Sequence, residues 1–435
     1  MAQHNLALPW RLEAPTFGFS SWAIRLPIPA CPISSASSAS SAVNYHFYPE
    51  FITLAMSPLP APDPAALEYS EKTAALIRGE IESAGGWIPF SRFMELALYA
   101  PGLGYYSAGM HKFGAAGDFV TAPEISSLFG QALAQQAAQV IGLTAGNILE
   151  IGPGSGRLAF DLLSELEQLG QLPERYYLLE VSADLRQRQQ HLLARFAPRV
   201  EWLDALPASF SGLIIGNEVL DAMPVHLVIW GQGKLLERGV ILEDDLFCWS
   251  ERALTSGELF DTAASIAEEG KNYVSEIGLT ARGFIASLAG SLEKGAILML
   301  DYGFGQSEYY HPQRDSGTLM CHYRHYAHDD PFYLPGLQDI TSHVDFSAIA
   351  ETGLAHGLNL LGYTSQAHFL INSGITGLLA RASPEKASAY LPLASQVQKL
   401  LNPAEMGELF KAIALGKGLN TALIGFSQGD KSRML

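Results

Sequence analysis

Basic residues are scarce. Lysine and arginine sum to 27 against 44 aspartates and glutamates, a formal net charge of −17 over 435 residues. A surface that tracks a phosphate backbone carries the opposite balance, so no nucleic-acid partner is expected. Cysteine is scarcer still. Cys31, Cys248 and Cys321 are odd in number and far apart, which argues against a disulfide scaffold and suits a reducing compartment. No uninterrupted apolar run reaches the ~20 residues of a bilayer-crossing helix, so no membrane span is expected. A Walker loop is missing, because Gly416-Lys417-Gly418 lacks the Ser or Thr that must follow the lysine. Ser155 is not a nucleophile elbow either, since Pro153 stands where that motif needs its first glycine. What remains is an acidic chain, 48% hydrophobic, with length for two or three domains or one large domain with insertions.

Residues 1–55 carry only Arg11, Glu13, Arg25 and Glu50 as charges, and Ser34 to Ser41 is low in complexity. Such a stretch buries too little apolar area to offset its ordering entropy. It lacks the basic start and apolar core of a secretory signal and the arginine content of a mitochondrial transit peptide. The expectation is a disordered tail or a mis-assigned start, with Met56 before Ser57-Pro58 as the natural beginning.

Pro64 opens a helical stretch with Leu67, Leu76, Ile77 and Ile81 on related faces, stopped by Gly85-Gly86. A short helix follows, with Phe93, Leu96 and Leu98, ending at Pro101-Gly102. Thr121-Ala122-Pro123-Glu124 fits a capping box for a helix reaching Ile141, and plain capping is its ordinary meaning. From Asn147 short apolar runs (147–151, 176–181, 200–203, 213–216 and 296–300) alternate with helical stretches (158–169, 185–196). That alternation implies βαβ units and a mostly parallel sheet. Residues 226–285 read as an insertion, a hairpin over 227–249 and then helices, while 358–363 and 422–426 offer further strands. The expected plan is an extension (1–55), an N-terminal helical segment with a cofactor-covering loop (56–145), a core (146–225 and 286–430) and an inserted small lobe (226–285).

The turn after the first strand of that core reads Glu150-Ile151-Gly152-Pro153-Gly154-Ser155-Gly156-Arg157. Glycines there permit a tight turn and let a ligand approach the backbone. Arg157 occupies the place of the third glycine of a dinucleotide fingerprint, which disfavours a nicotinamide oxidoreductase. Glu150 precedes the loop, and Glu180 ends the next strand, where a ribose diol lies in such folds. The combination is that of an S-adenosylmethionine (SAM) site. Gly152, Gly154 and Gly156 receive the amino-acid part, Glu180 takes the ribose, and Asp204 reaches toward the adenine. Taken alone, Glu180 is an ordinary solvated strand end. Asn217-Glu218-Val219-Leu220-Asp221 follows the fourth strand at the carboxyl edge, where ligands bind. Two carboxylates there suit a cationic nucleophile, with helix capping by Asn217 and Asp221 as the plain alternative. Residues 301–345 gather His311, His322, His325, His328 and His343 with six tyrosines, which reads as a substrate lid. The Cys321, His322, His325 and His328 spacing matches no standard zinc pattern, so no metal is expected.

Several segments together resemble the MidA-like family of class I SAM-dependent methyltransferases: Ser91 to Tyr99, Gly117 to Ser126, Glu150 to Arg157, Asn217 to Pro224, Tyr273 to Ile277 and Cys321 to Phe332. The resemblance covers about Ile88 to Gly425 and implies a Rossmann-like α/β sheet with helices on both faces and SAM as cofactor. It implies transfer to protein arginine, symmetric dimethylarginine in the mitochondrial member, which serves complex I assembly. The implied partner is a protein with an accessible arginine. On this reading Glu218 and Asp221 handle the acceptor, with Glu276 and His322 in reserve. Asp118, Thr121, Glu124 and Asn217 border the cofactor. A bacterial member would be cytoplasmic and a eukaryotic one would sit in the mitochondrial matrix. The apolar insertion could serve as a homodimer surface. Rival readings are a methyltransferase for a small molecule or another side chain, and a SAM-binding assembly factor without turnover.

Overall fold

The computed structural model describes residues 59–107, 121–231, 233–266 and 273–435. The N-terminal extension and Asp118 lie outside the described residues.

The alternating apolar runs form one central sheet. Its strands are β1 (Asn147–Ile151), β2 (Tyr176–Leu179), β3 (Val200–Leu203), β4 (Phe210–Asn217), β5 (Leu292–Phe304), β6 (Asn359–Ser365) and β7 (Phe410–Lys417). They lie in the order β6-β7-β5-β4-β1-β2-β3. Neighbours from β5 to β3 are parallel, and β7 runs antiparallel to both its neighbours. Strand order reverses between β1 and β4, and the crevice beyond their carboxyl ends is where such sheets bind ligands.

Side-chain alternation along each strand supplies both faces, as the 2.0-residue period requires. Ile148, Leu213, Ile215, Leu298 and Ala414 point into a core covered by the helices Ser127–Thr144 and Arg157–Gln168. Leu149, Ile214, Ile297, Met299 and Ile413 point the other way, under the helices Leu279–Ser291 and Phe346–Ala355. The expected α/β class with helices on both faces is what the chain adopts.

A second, antiparallel sheet carries the lobe. Its strands are His226–Gly231, Lys234–Glu243, Leu246–Ala253 and Tyr273–Ile277, with Ile88–Pro89 on the edge of the second. Where the sequence reads as a hairpin followed by helices, the described residues form four strands and one helix (Glu258–Ile266), and Leu279–Ser291 packs on the central sheet. The helices Pro64–Ser83 and Phe90–Tyr99 share one apolar core with this lobe through Ile77, Phe93, Leu227 and Val240.

Other local expectations change as well. Leu67 and Leu76 are 48% and 41% exposed, because the buried stripe runs through Ala66, Tyr69, Thr73, Ile77 and Ile81 at three- and four-residue steps. Residues 422–426 are not a strand. A 3-10 turn, Ile424–Phe426, stands there, and the last strand of the sheet is β7. The histidine-rich segment contains a small sheet, Met320–Tyr323, Tyr326–His328 and Asp339–Thr341. Arg324 and His325, at φ +48° and +68°, make its two-residue hairpin turn. Cys321 faces the lobe core.

Candidate active site

The glycine loop closes directly over the end of β1. Gly152, Gly154 and Gly156 all have positive φ (59°, 54° and 83°), a conformation that suits residues without Cβ. A Cβ on Gly156 would sit 3.1 Å from Cγ of Gln189, so the loop and that side chain are fitted to each other. Gln189 is buried and central here. Its Nε2 donates to the Gly154 carbonyl at 2.7 Å and to Glu180 Oε2 at 3.0 Å, and its Oε1 accepts from the Trp202 indole at 2.9 Å. One amide therefore ties the loop to the acidic residue after β2. Glu180 Oε1 accepts from Ser182 N at 2.8 Å. Burial raises the Glu180 carboxyl, with these donors opposing. It is not a solvated strand end.

Glu150 is buried one layer below and accepts from the Tyr176 hydroxyl. Burial pushes its carboxyl up to about 7, with Tyr176 pulling down and the Glu180 charge pushing up. A folded-state value above the ordinary 4.5 means that stability is complete below that value and falls as pH rises through about 7. The difference corresponds to roughly 3 kcal/mol. Glu150→Gln should flatten the decline of the melting temperature between about pH 5 and 8, read by scanning calorimetry at several pH values. An unchanged slope would remove Glu150 as its source.

Asp204 lies at the end of β3 but faces solvent, with its side chain 89% exposed and paired to Arg186 at 2.8 Å. The Thr121 box is not made. Thr121 caps nothing with its side chain, Glu124 accepts from Ser155 of the glycine loop, and the first helix ends at Ile125. Ser126 caps the helix that follows, Ser127–Thr144. The Thr121–Glu124 turn is thereby held against the loop.

The second half of the site follows β4. Residues 217–224 form no helix, so Asn217 and Asp221 cap none. Glu218 has φ +53°, a strained conformation for a non-glycine residue. Its Oε1 accepts from Asn217 Nδ2 at 3.0 Å and from Ala122 N at 3.4 Å. Burial pushes Glu218 up to about 8, and the Asp221 and Asp339 charges add to that. Asp221 is pushed up to about 6 by burial, opposed by Tyr302 and backbone donors. Beneath both lies Asp301, near the carboxyl end of β5. Its Oδ2 accepts from Val219, Leu220 and Asp221 N at 3.1, 2.9 and 3.3 Å, and its Oδ1 from Tyr302 N at 3.0 Å. Burial, with the Asp221 and Glu218 charges, pushes it well above the ordinary range against these donors. Asp301 builds the turn that presents the other two acids. Among the described residues none of Glu218, Asp221 and Asp301 joins an ion pair of the kind that fixes acids elsewhere in the chain. Asn217 Oδ1 and Asp221 Oδ1 are buried without a hydrogen-bond partner.

The two reserve residues lie outside the 217–221 turn. Glu276 is 1% exposed and saturated. Oε1 accepts from Thr318 N at 2.8 Å and Leu319 N at 2.9 Å, and Oε2 from the Thr318 and Tyr309 hydroxyls at 3.1 and 3.3 Å. It anchors the 317–319 loop and has no lone pair to spare for an acceptor. His322 sits on the small sheet opposite Asp339, half-buried, its imidazole pushed down by burial and by His328.

The family model described as "Putative S-adenosyl-L-methionine-dependent methyltransferase" matches residues 130–364, which include both halves of this site. A crystal structure of a superfamily member from Burkholderia thailandensis bound to S-adenosyl-homocysteine is 50% identical. It superposes with a TM-score of 0.83 over 87% of this chain and 100% of that one. The chain belongs to the MidA-like family of class I SAM-dependent methyltransferases. The mouse protein arginine methyltransferase NDUFAF7, mitochondrial, is 30% identical over 77% of this chain and 82% of that protein. The Drosophila melanogaster NDUFAF7 homolog, named likewise, is 28% identical over 81% and 88%.

SAM is the cofactor of this methyltransferase. The residues present fit it. Left-handed glycines clear the loop, a carboxylate held by Gln189 ends β2, and the orphaned Asn217 Oδ1 offers an acceptor at the end of β4. Gln189, Asp301 and the Tyr176–Glu150 pair escape a reading of sequence alone. Asp301 left a trace, as an acid at the carboxyl end of a strand neighbouring β4, and Glu150 was legible as the acid before the glycine loop, its bond from Tyr176 not.

Proposed function

We propose that this methyltransferase transfers methyl groups to arginine side chains of a protein substrate. The observation that carries the reading is the acid group at the ends of β4 and β5: half-buried Glu218 with buried Asp221 and Asp301, with no ion pair among the described residues and Asp221 Oδ1 unpartnered. Buried carboxylates with hydrogen-bond donors but no opposite charge are still costly to ionise, and a cationic acceptor is what offsets that cost. Relatives named as protein arginine methyltransferases support the choice of cation. Those relatives are also named mitochondrial, and no helix among the described residues is long and apolar enough to cross a membrane. A matrix location for a eukaryotic member and a cytoplasmic one for a bacterial member go with the same reading.

When bound, SAM supplies a methyl on a positively charged sulfur. The chain's part is alignment and proton handling. Gly152, Gly154, Gly156, Glu180 and Asn217 fix the cofactor, and Glu218 with Asp221 orients the guanidinium so that one nitrogen lies in line. A guanidinium stays protonated near neutral pH and is a poor nucleophile. One proton must leave it for each methyl gained, and Glu218 takes that proton.

The pH dependence follows from the direction of the shifts. The working form of Glu218 is ionised, so kcat/KM should fall as pH drops through about 8, the value of the free enzyme. A bound guanidinium favours the ionised acids, so the same limb in kcat should lie at lower pH. Coincident limbs in the two profiles would count against a cation beside Glu218. The function itself is tested with methyl-labelled SAM and arginine peptides, followed by acid hydrolysis and amino-acid analysis. Label in methylarginine is expected. Label only in lysine or in a small molecule would favour the alternative acceptors.

A further inference from the structure

The rim of the acidic crevice closes on itself through residues from three separate parts of the fold. Ser342 N donates to the Asp221 carbonyl at 3.0 Å, which pins the strand Asp339–Thr341 beside the carboxylate turn. On that strand Asp339 and Thr341 project to one side, and Ile340 between them is buried in the lobe core. Asp339 Oδ1 accepts from the Tyr106 hydroxyl at 2.8 Å. The Tyr106 ring stacks on Tyr99 with centroids 5.4 Å apart, and the Tyr99 hydroxyl donates to the Ala222 carbonyl at 3.0 Å. The circuit leaves from Asp221 and returns to the residue after it. At that junction Asp221 is 5% exposed and its Oδ1 has no partner. Asp339 also lies near enough for its charge to act on Glu218, Tyr99 and Tyr106.

We propose that Asp339, oriented by Tyr106, is a second recognition carboxylate for the acceptor, so that a planar cation is gripped between Asp339 and the Glu218–Asp221 pair with the Tyr99 and Tyr106 rings as one wall. The proposal rests on the arginine reading and goes beyond it by naming what selects the cation. A flat, delocalised guanidinium stacks on aromatic faces and bonds carboxylates through two edges at once. A compact ammonium is a point charge and gains less from acids placed on two sides of an aromatic wall. Asp339 belongs to binding. Proton removal stays with Glu218.

The test is calorimetric titration of the full chain, saturated with S-adenosyl-homocysteine, with ethylguanidinium chloride and separately with ethylammonium chloride. The wild type should bind ethylguanidinium more tightly than ethylammonium. Asp339→Asn should weaken ethylguanidinium about tenfold and leave ethylammonium nearly unmoved, narrowing the preference. Its affinity for S-adenosyl-homocysteine should not change, which a merely structural role would alter. In turnover on an arginine peptide it should raise KM more than it lowers kcat. Tyr106→Phe keeps the carboxylate but removes its orienting bond, and should weaken ethylguanidinium about threefold. Equal ethylguanidinium affinity in wild type and Asp339→Asn overturns the proposal and leaves the arginine reading standing. Should the asparagine variant fail to fold, equal affinity in wild type and Tyr106→Phe overturns it instead. A wild type that binds ethylguanidinium no better than ethylammonium overturns the arginine reading and this proposal together.

Discussion

Replacing Glu218 by glutamine should leave S-adenosyl-homocysteine affinity within about twofold of wild type and lower methyl transfer by ~10²–10⁴, the usual contribution of a positioned general base. The substitution is chosen for what it preserves. Glutamine keeps an oxygen that can accept from Asn217 Nδ2 and Ala122 N, and it meets the same strain at φ +53° as glutamate does. It also removes a carboxyl that burial and Asp221 hold up near 8, so the folded protein should gain stability that sets in as pH rises past the ordinary 4.5 and is complete above about 8. Lost turnover with intact cofactor binding and an intact or raised melting temperature assigns the loss to chemistry. Turnover within about threefold of wild type would take the proton-handling role from Glu218 and pass it to Asp221, whose unpartnered Oδ1 is the nearest alternative.

How far the sequence foretold this site depends on whether its parts are local. The glycine loop, Glu180 and the 217–221 acids each follow a strand of the parallel sheet. The alternation of strands and helices locates those ends without any knowledge of tertiary contacts. Asp301 was hidden because its partners lie about eighty residues away in sequence and are backbone amides, which no side-chain pattern announces. Gln189 was hidden for a related reason. It is a polar residue on the inner face of a helix, and only folding brings it between the loop and Glu180. The Thr121 box shows the opposite error. Its residue types suit a cap, but the Glu124 side chain finds Ser155 across the fold, and the helix restarts at Ser126. The tail was misread through composition. The apolar run at 422–426 packs as a short turn with Phe426 against Phe369, while the strand that does join the sheet, β7 between β6 and β5, contains Lys411. That lysine is buried in the strand, with its ammonium on the Glu408 and Leu409 carbonyls. Hydrophobic pattern reading passes over a strand that buries a charge in this way. The aromatic and histidine-rich segment was read for its histidines, whereas its contact with the carboxylate turn runs from Ser342 N to the Asp221 carbonyl. Arg324 and His325 are spent on a hairpin turn.

Glu180→Ala should weaken binding of S-adenosyl-homocysteine by ~10²-fold or more, since hydrogen bonds to a charged group contribute ~1.5–3 kcal/mol each. Each Glu180 oxygen already accepts one bond, Oε1 from Ser182 N and Oε2 from Gln189, which leaves a lone pair on each for a ribose diol. The carboxyl is raised by burial, so its ionised form is held at a cost that hydroxyl donors would offset. Alanine also releases Gln189, whose remaining bonds to the Gly154 carbonyl and the Trp202 indole must then hold the loop alone. Two contributions are therefore mixed in the alanine variant: lost contacts to the ribose and a loosened glycine loop. Gln189→Leu separates them, because it removes the brace and keeps the carboxylate. It should weaken binding about tenfold, less than the loss of Glu180 itself, as expected for a residue acting through another. If the two variants lose affinity equally, the carboxylate acts only by anchoring the loop, and the ribose contact must be sought at another residue of the crevice.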